Sequence, residues 1–326
     1  MRCALLLLAA ACSVSAQAAE PATIDGALNS LYNFDFAATH ATLNSYIATH
    51  PQEALPYAFR GAAYLFVELD RLGALESEFL TDDDRLVEKA RPKPDPATRT
   101  LFLKAVDDAQ KRAEAILKSQ PNDRDALFAM CVVSGISTDY MALVEKRQIA
   151  SLSLAKRSNA YAQRLLKLDP KFYDAYLTAG FSEYMIGSLP FFIRWFVHFD
   201  NVEGDKQTGV RHLELVAREG RYFAPLAKVF LGIIALREKK PQEARRLLAE
   251  LVRDYPRNPL YRKELDKLDH KRAGVIRMWG KMASCGQMVS GPSGLPWDPL
   301  ASSAVWSAVG YDSDLCTSPT RIAIGT

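Results

Sequence analysis

Four prolines, Pro51, Pro121, Pro170 and Pro256, each stand at the end of an apolar helical stretch, and this recurrence constrains the fold more than any other feature. Proline has no amide proton to donate and pushes the residue before it away from helical geometry, so each marks a helix stop. The residues beyond these stops recur as well. Counted from Ala54, Tyr57, Gly61 and Tyr64 fall at the fourth, eighth and eleventh positions, and counted from Tyr173, Tyr176 and Gly180 fall at the fourth and eighth. One short helical unit cannot bury its apolar face alone, so a repeated unit must stack on its neighbours. No convincing strand interrupts the pattern, and the predicted fold class is all-α.

The best unit runs from Pro225 to Asn258, PLAKVFLGIIALREKKPQEARRLLAELVRDYPRN. Leu231 and Gly232 occupy its seventh and eighth positions, Ala244 the twentieth, Leu248 the twenty-fourth, Leu251 the twenty-seventh and Pro256 the thirty-second. Across all 34 residues this unit resembles a tetratricopeptide repeat, and the chain resembles exported bacterial members of that family. In that reading Gly232 lets the two helices of the unit approach closely, Ala244 supplies the matching small surface, and Pro256 ends the second helix. The degenerate units marked by Gly61 and Gly180 extend the resemblance over most of Thr23 to Leu268. It implies an α-α superhelix of helical hairpins whose inner face binds peptides or other ligands. Ser188-Leu189-Pro190, followed by Gly204-Asp205, Gly209 and Leu213, is similar to the middle region of tetratricopeptide-repeat-39-like proteins.

The spacing between the prolines requires two insertions. One, about residues 80–97, carries alternating prolines that cannot continue a helix. The other, about 187–207, reads GSLPFFIRWFVHFDNVEGDKQ, with Phe192 and Phe196 on one helical face and Phe191 and Trp195 on another. Arg194 and His198 leave it only a thin polar stripe. The repeat domain is expected over 19–268. Residues 269–326 thin out in charge and gather Gly, Ser and Pro, the composition of a poorly ordered tail. At the other end, Met1-Arg2 and the apolar run to Ala11, closed by Ala16-Gln17-Ala18, read as an export signal over 1–18 cleaved after Ala18. That places the chain in the periplasm or outside the cell. Lipidation at Cys12 is the lesser reading. In an oxidising compartment the tail cysteines Cys285 and Cys316 are the pair that can close, whereas Cys131 lies in an apolar helix and reads as core.

The resemblance also fixes where a ligand would lie: the second, fifth, ninth and twelfth positions of each first helix line the groove. Here these include Phe128, Leu177, Phe181, Tyr184, Val229 and Ile233, far more apolar than a charged-peptide groove. Three occupants fit such a face. The aromatic insertion can fold back and fill it, an apolar ligand or extended segment can occupy it with Glu183 or Arg194 at the polar end, or the stretch 188–199 can rest on a membrane surface.

Chemistry-bearing patterns are missing. His40 and His50 are ten residues apart with no third ligand, Asp82-Asp83-Asp84 lacks the spacing of a calcium loop, and no serine sits in a nucleophile elbow. No cofactor is expected. A formal net charge of +3, with basic and acidic residues mixed, gives no phosphate-binding stripe, so nucleic acid is not expected as a partner. The sequence therefore points to a non-enzymatic scaffold for a protein partner, or to a solenoid that binds an apolar molecule.

Overall fold

The computed structural model describes residues 22–77, 81, 92–188 and 203–270. The expected leader, Cys12, the aromatic residues Phe191, Phe192, Trp195 and Phe196 with their neighbour Arg194, and the tail cysteines Cys285 and Cys316 lie outside them. Contacts divide the chain into Met1–Lys271 and Arg272–Thr326, and every described residue belongs to the first unit.

The regular elements among the described residues are all helical, as the sequence predicts. They are α1 (Ile24–Tyr32), α2 (Phe36–Thr49), α3 (Leu55–Arg71), α4 (Pro96–Ser119), α5 (Arg124–Asp139), α6 (Gln148–Leu168), α7 (Tyr176–Ser188), α8 (Lys206–Glu219), α9 (Ala224–Arg237), α10 (Pro241–Asp254) and α11 (259–270). A π-helical turn, Tyr140–Val144, follows α5, and a 3-10 turn, Tyr173–Ala175, leads into α7. Helices adjacent in sequence pack as pairs, α1 on α2, α3 on α4, α5 on α6, α7 on α8 and α9 on α10. Side-chain links show the α3–α4 pair to be antiparallel: Arg112 from the second half of α4 lies over Tyr57 at the start of α3, while Arg71 at the end of α3 donates to the Lys93 carbonyl just before α4. The stretch Arg124–Val144 is apolar and long enough to cross a membrane, but 61% of its most apolar 18-residue window is buried inside the unit, as in a core helix.

The helix boundaries have local causes. Asp35, Asp95, Asp123 and Asp205 each precede a helix and accept amide hydrogen bonds from its first turn, at 3.0 Å from Ala38, 2.7 Å from Thr98, 2.8 Å from Ala126 and 3.0 Å from Gln207. Such caps satisfy donors the helix itself cannot pair. At the other ends, α2, α4, α6 and α10 stop at Thr49, Ser119, Leu168 and Asp254, each two residues before one of the four prolines. The junctions share further contacts. Tyr57 donates to the Pro51 carbonyl and Tyr176 to the Pro170 carbonyl, while Arg112 and Arg164 donate to the carbonyls of Pro51 and Pro121.

The glycines at the recurring positions divide into two kinds. A Cβ on Gly180 would stand 2.8 Å from the His212 Cβ and 2.9 Å from the Gly209 carbonyl oxygen, and one on Gly61 would stand 2.9 Å from Ile136. Gly180, hemmed in by backbone, has no room for a side chain, whereas Gly61 faces the flexible tip of Ile136, which can shift aside. Gly232 departs from the expectation: a Cβ there would meet nothing within 4 Å, so close approach of α9 and α10 is not what requires glycine. Ala244 is fully buried and α10 ends before Pro256 as expected. Gly232→Ala is therefore expected to raise stability by about 0.5–1 kcal/mol through helix propensity. Gly180→Ala should lower it by about 1–3 kcal/mol through overpacking. Urea unfolding of both variants separates the two kinds of site.

The chain's early and late segments meet. The Tyr32 hydroxyl donates to the Tyr222 carbonyl at 2.8 Å, the Asn258 side-chain amide donates to the Tyr32 carbonyl at 2.8 Å, and the Arg257 backbone amide donates to Asn33 at 3.1 Å. Arg221 pairs with Asp25 at 2.7 Å and Lys263 with Glu76 at 2.7 Å. Helix α1 is thus wedged between the loops that precede α9 and α11.

Candidate functional site

The predicted groove positions lie on α3, α5, α7 and α9, and the structure treats them unequally. Phe128 is fully buried, and Leu55, Ala58, Ala62, Leu65, Val132, Leu177 and Tyr184 are buried with it. Phe181, Leu226, Val229, Ile233 and Leu236 remain half-buried. Across the face, these apolar positions are closed on α3 and α5 and partly open on α7 and α9.

What closes it is the loop between α8 and α9. The Tyr222 ring lies 5.4 Å from Phe59 and 5.9 Å from Phe128, the Phe223 ring lies 5.5 Å from Phe128 and edge-on to Phe59 at 6.1 Å, and Phe172 adds a contact to Phe128 at 4.9 Å. Tilted and offset aromatic packing of this kind contributes beyond the area it buries. Burial pushes the Tyr222 hydroxyl up to about 12. Helical spacing offers the aromatic insertion for the filling role and gives no place to this pair. The signal that could have found it is the two aromatics between Gly220 and the helix-starting Ala224-Pro225, where a short repeat junction has no ordinary use for them.

Asp174 holds that loop in place. Its carboxylate accepts the backbone amides of Arg221 at 3.0 Å, Tyr222 at 3.0 Å and Phe223 at 2.8 Å. Burial outweighs those donors and raises the carboxyl above its ordinary range. Nine residues further on, Glu183 repeats the arrangement: it accepts amides from Glu203 at 3.2 Å, Gly204 at 2.8 Å and Asp205 at 3.0 Å. Gly204 has φ +74°, a left-handed conformation that side chains resist, and a Cβ on Gly187 would come within 2.6 Å of the Gly204 carbonyl oxygen. The two acids therefore fix both ends of α8 against α7. Glu183, expected from sequence to anchor a ligand, is committed to the protein's own backbone; its suggested companion Arg194 is outside the described residues.

The half-buried remainder is an apolar row. Phe181 on α7 stacks on Phe230 of α9 at 4.7 Å, and Leu226, Val229, Ile233 and Leu236 continue along α9 at helical spacing.

Burial governs the shifted titratable side chains that the sequence reading singled out or that the helices enclose. Cys131 is buried, its sulfur 3.3 Å from the Thr178 hydroxyl, and burial pushes the thiol up, away from the reactive thiolate. Burial lowers both His40 and His212 and keeps them neutral. Among the described residues no three His, Cys, Asp or Glu side chains are grouped to hold a metal ion. Asp139, at the end of α5, is pushed up to about 7 by burial. Its folded form binds a proton that the unfolded chain releases near pH 4, so stability should fall as pH rises from about 4 to 7. Asp139 keeps partial exposure, which discounts the effect. Asp139→Asn is expected to stabilise by about 1–2 kcal/mol at pH 8 and to change little at pH 4, read by urea unfolding at the two values.

No family model, curated protein or solved structure matches this chain.

Proposed function

We propose that the chain is an exported, non-enzymatic scaffold of the tetratricopeptide type, a superhelix of helical hairpins, which binds a protein partner through the apolar row of α7 and α9. The observation that carries this reading is the unequal burial of the inner face. Its positions on α3 and α5 are buried, with Tyr222 and Phe223 packed on Phe59 and Phe128, while Phe181, Phe230, Val229 and Ile233 stay partly exposed on two helices. An amphipathic helix or extended segment can lay apolar side chains along such a row at matching intervals. The recurring proline junctions, with their Tyr-to-carbonyl and Arg-to-carbonyl bonds, support the repeat assignment. The leader-like residues 1–18 support export.

The alternative occupant is an apolar small molecule or lipid. It is disfavoured because Phe128, Leu177 and Tyr184, which would line the deepest part of such a pocket, are already covered. The test places a photo-crosslinking residue at Ile233 and captures partners in the native host. A crosslinked polypeptide that disappears with Phe181→Asp, at unchanged helicity, is expected. Exclusive labelling of lipid, or labelling indifferent to Phe181→Asp, contradicts the reading. Phe181 is half-buried, so the substitution itself should cost only about 1–2 kcal/mol.

A further inference from the structure

Four acids are buried among the described residues, Glu68, Asp174, Glu183 and Glu264, and the protein itself claims each of them. Glu68 pairs with Arg71 at 2.7 Å and accepts the Asp95 amide, and Glu264 pairs with Lys267 at 2.8 Å. Asp174 and Glu183 take three backbone amides apiece. Asp139, at the end of α5, is different. It is largely enclosed, yet burial alone acts on its carboxyl, with no cation and no hydrogen-bond donor beside it. An enclosed carboxyl without a partner destabilises a fold, and no contact within this one offsets that cost.

Its register shows where it points. Phe128, Val132, Gly135 and Asp139 follow one another at intervals of four, three and four along α5, so they share one face. The flanks of that face are set by contacts. On one side Ile136 lies against Gly61 of α3, and on the other the Cys131 sulfur meets the Thr178 hydroxyl of α7 at 3.3 Å. Helix α6 holds a third direction, where Arg157 and Ser158 donate to Ser134 and to the Cys131 carbonyl. Asp139 therefore belongs to the inner face, between α3 and α7.

The level along the helices follows as well. Phe172, just ahead of α7, packs on Phe128, and Thr178, within α7, reaches Cys131, so α5 and α7 run in the same direction. Asp139 lies eight residues beyond Cys131, about 12 Å along the helix, which brings it level with the last turn of α7. Met185 is exposed there, and Phe181, stacked on Phe230, lies between the two levels. A carboxyl thus stands at the far end of the half-buried apolar row. A purely apolar occupant would bury it against hydrocarbon, and an acidic one would add repulsion. A basic group reaching it would gain a charge-assisted bond where water is scarce.

We propose that Asp139 is the charged anchor of the row on α7 and α9, and that the partner is an apolar polypeptide segment carrying one lysine or arginine that pairs with it. This rests on the reading of α7 and α9 as a protein-binding row, and adds the chemistry that selects the partner.

The experiment selects random linear peptides, displayed on phage, on the immobilised whole chain. An enriched peptide is then synthesised in two forms, with its basic residue kept or replaced by norleucine. The selected peptides should combine spaced apolar residues with a lysine or arginine, and the basic form should bind about tenfold more tightly than the norleucine form. Asp139→Asn should remove that preference and leave the norleucine form bound as before. The variant is expected to be at least as stable as the parent, so a lost preference is not a lost fold. Phe181→Asp should abolish binding of both forms. The two readings fail in different ways. Peptides that are lost in Phe181→Asp, but lack a basic residue or keep their preference in Asp139→Asn, overturn the anchor while the row stands. No enriched peptide, or binding indifferent to Phe181→Asp, overturns the row and the anchor with it.

Discussion

Asp174→Ala is expected to lower the unfolding free energy by about 3–5 kcal/mol, because it leaves the amides of Tyr222 and Phe223 buried without an acceptor. The Arg221 amide also loses its partner, but it lies nearer solvent. Asp174→Asn should cost less. The Oδ1 that accepts from Tyr222 and Phe223 can be kept by an amide, whereas the Oδ2 that accepts from Arg221 would be replaced by a donor facing a donor. The order wild type, asparagine, alanine in urea midpoint is the expected outcome. A loss below about 1 kcal/mol for alanine would mean that ring packing alone seats the loop.

Phe128→Ala is expected to cost about 3–5 kcal/mol, since the side chain is fully buried and touches Phe172, Tyr222 and Phe223. The effect should not add to that of Tyr222→Ala. Once either ring is gone the other has lost part of its contact surface, and a double-mutant cycle should return a coupling of about 0.5–3 kcal/mol. Additive effects would place the two residues in separate clusters, contrary to the ring contacts they make. Both experiments read the same event, the closing of the inner face by the loop that precedes α9.

Much of the fold is legible in the residues. Proline stops and aspartate caps act through the backbone of their own neighbours, so Pro51, Pro121, Pro170 and Pro256, with Asp35, Asp95 and Asp123, mark helix ends whatever the tertiary structure. Of the positions that the resemblance assigns to a groove, Phe128 and Leu177 are buried, while Phe181, Val229 and Ile233 are half-buried. Their covering is not legible, because Tyr222 and Phe223 belong to a loop whose path depends on Asp174, 48 and 49 residues away. Periodicity carries no information about a contact of that range. Gly232 shows the converse limit. Its place in the repeat predicts a close approach, yet whether a glycine is crowded depends on the neighbouring helix, and at this position the space is open. Glu183 stands out in the sequence as an acid on an apolar helix, but the three amides that claim it come from a loop across the α7–α8 pair.

The most direct test of a self-filled inner face with a protein-binding row is native mass spectrometry of the chain purified from its own host, followed by denaturing extraction. The predicted result is the mass of the protein without any small-molecule adduct under gentle conditions, with no apolar compound in the extract. A stoichiometric lipid or other apolar adduct, lost in Phe181→Asp while helicity is retained, would contradict it and turn the same row into a ligand pocket.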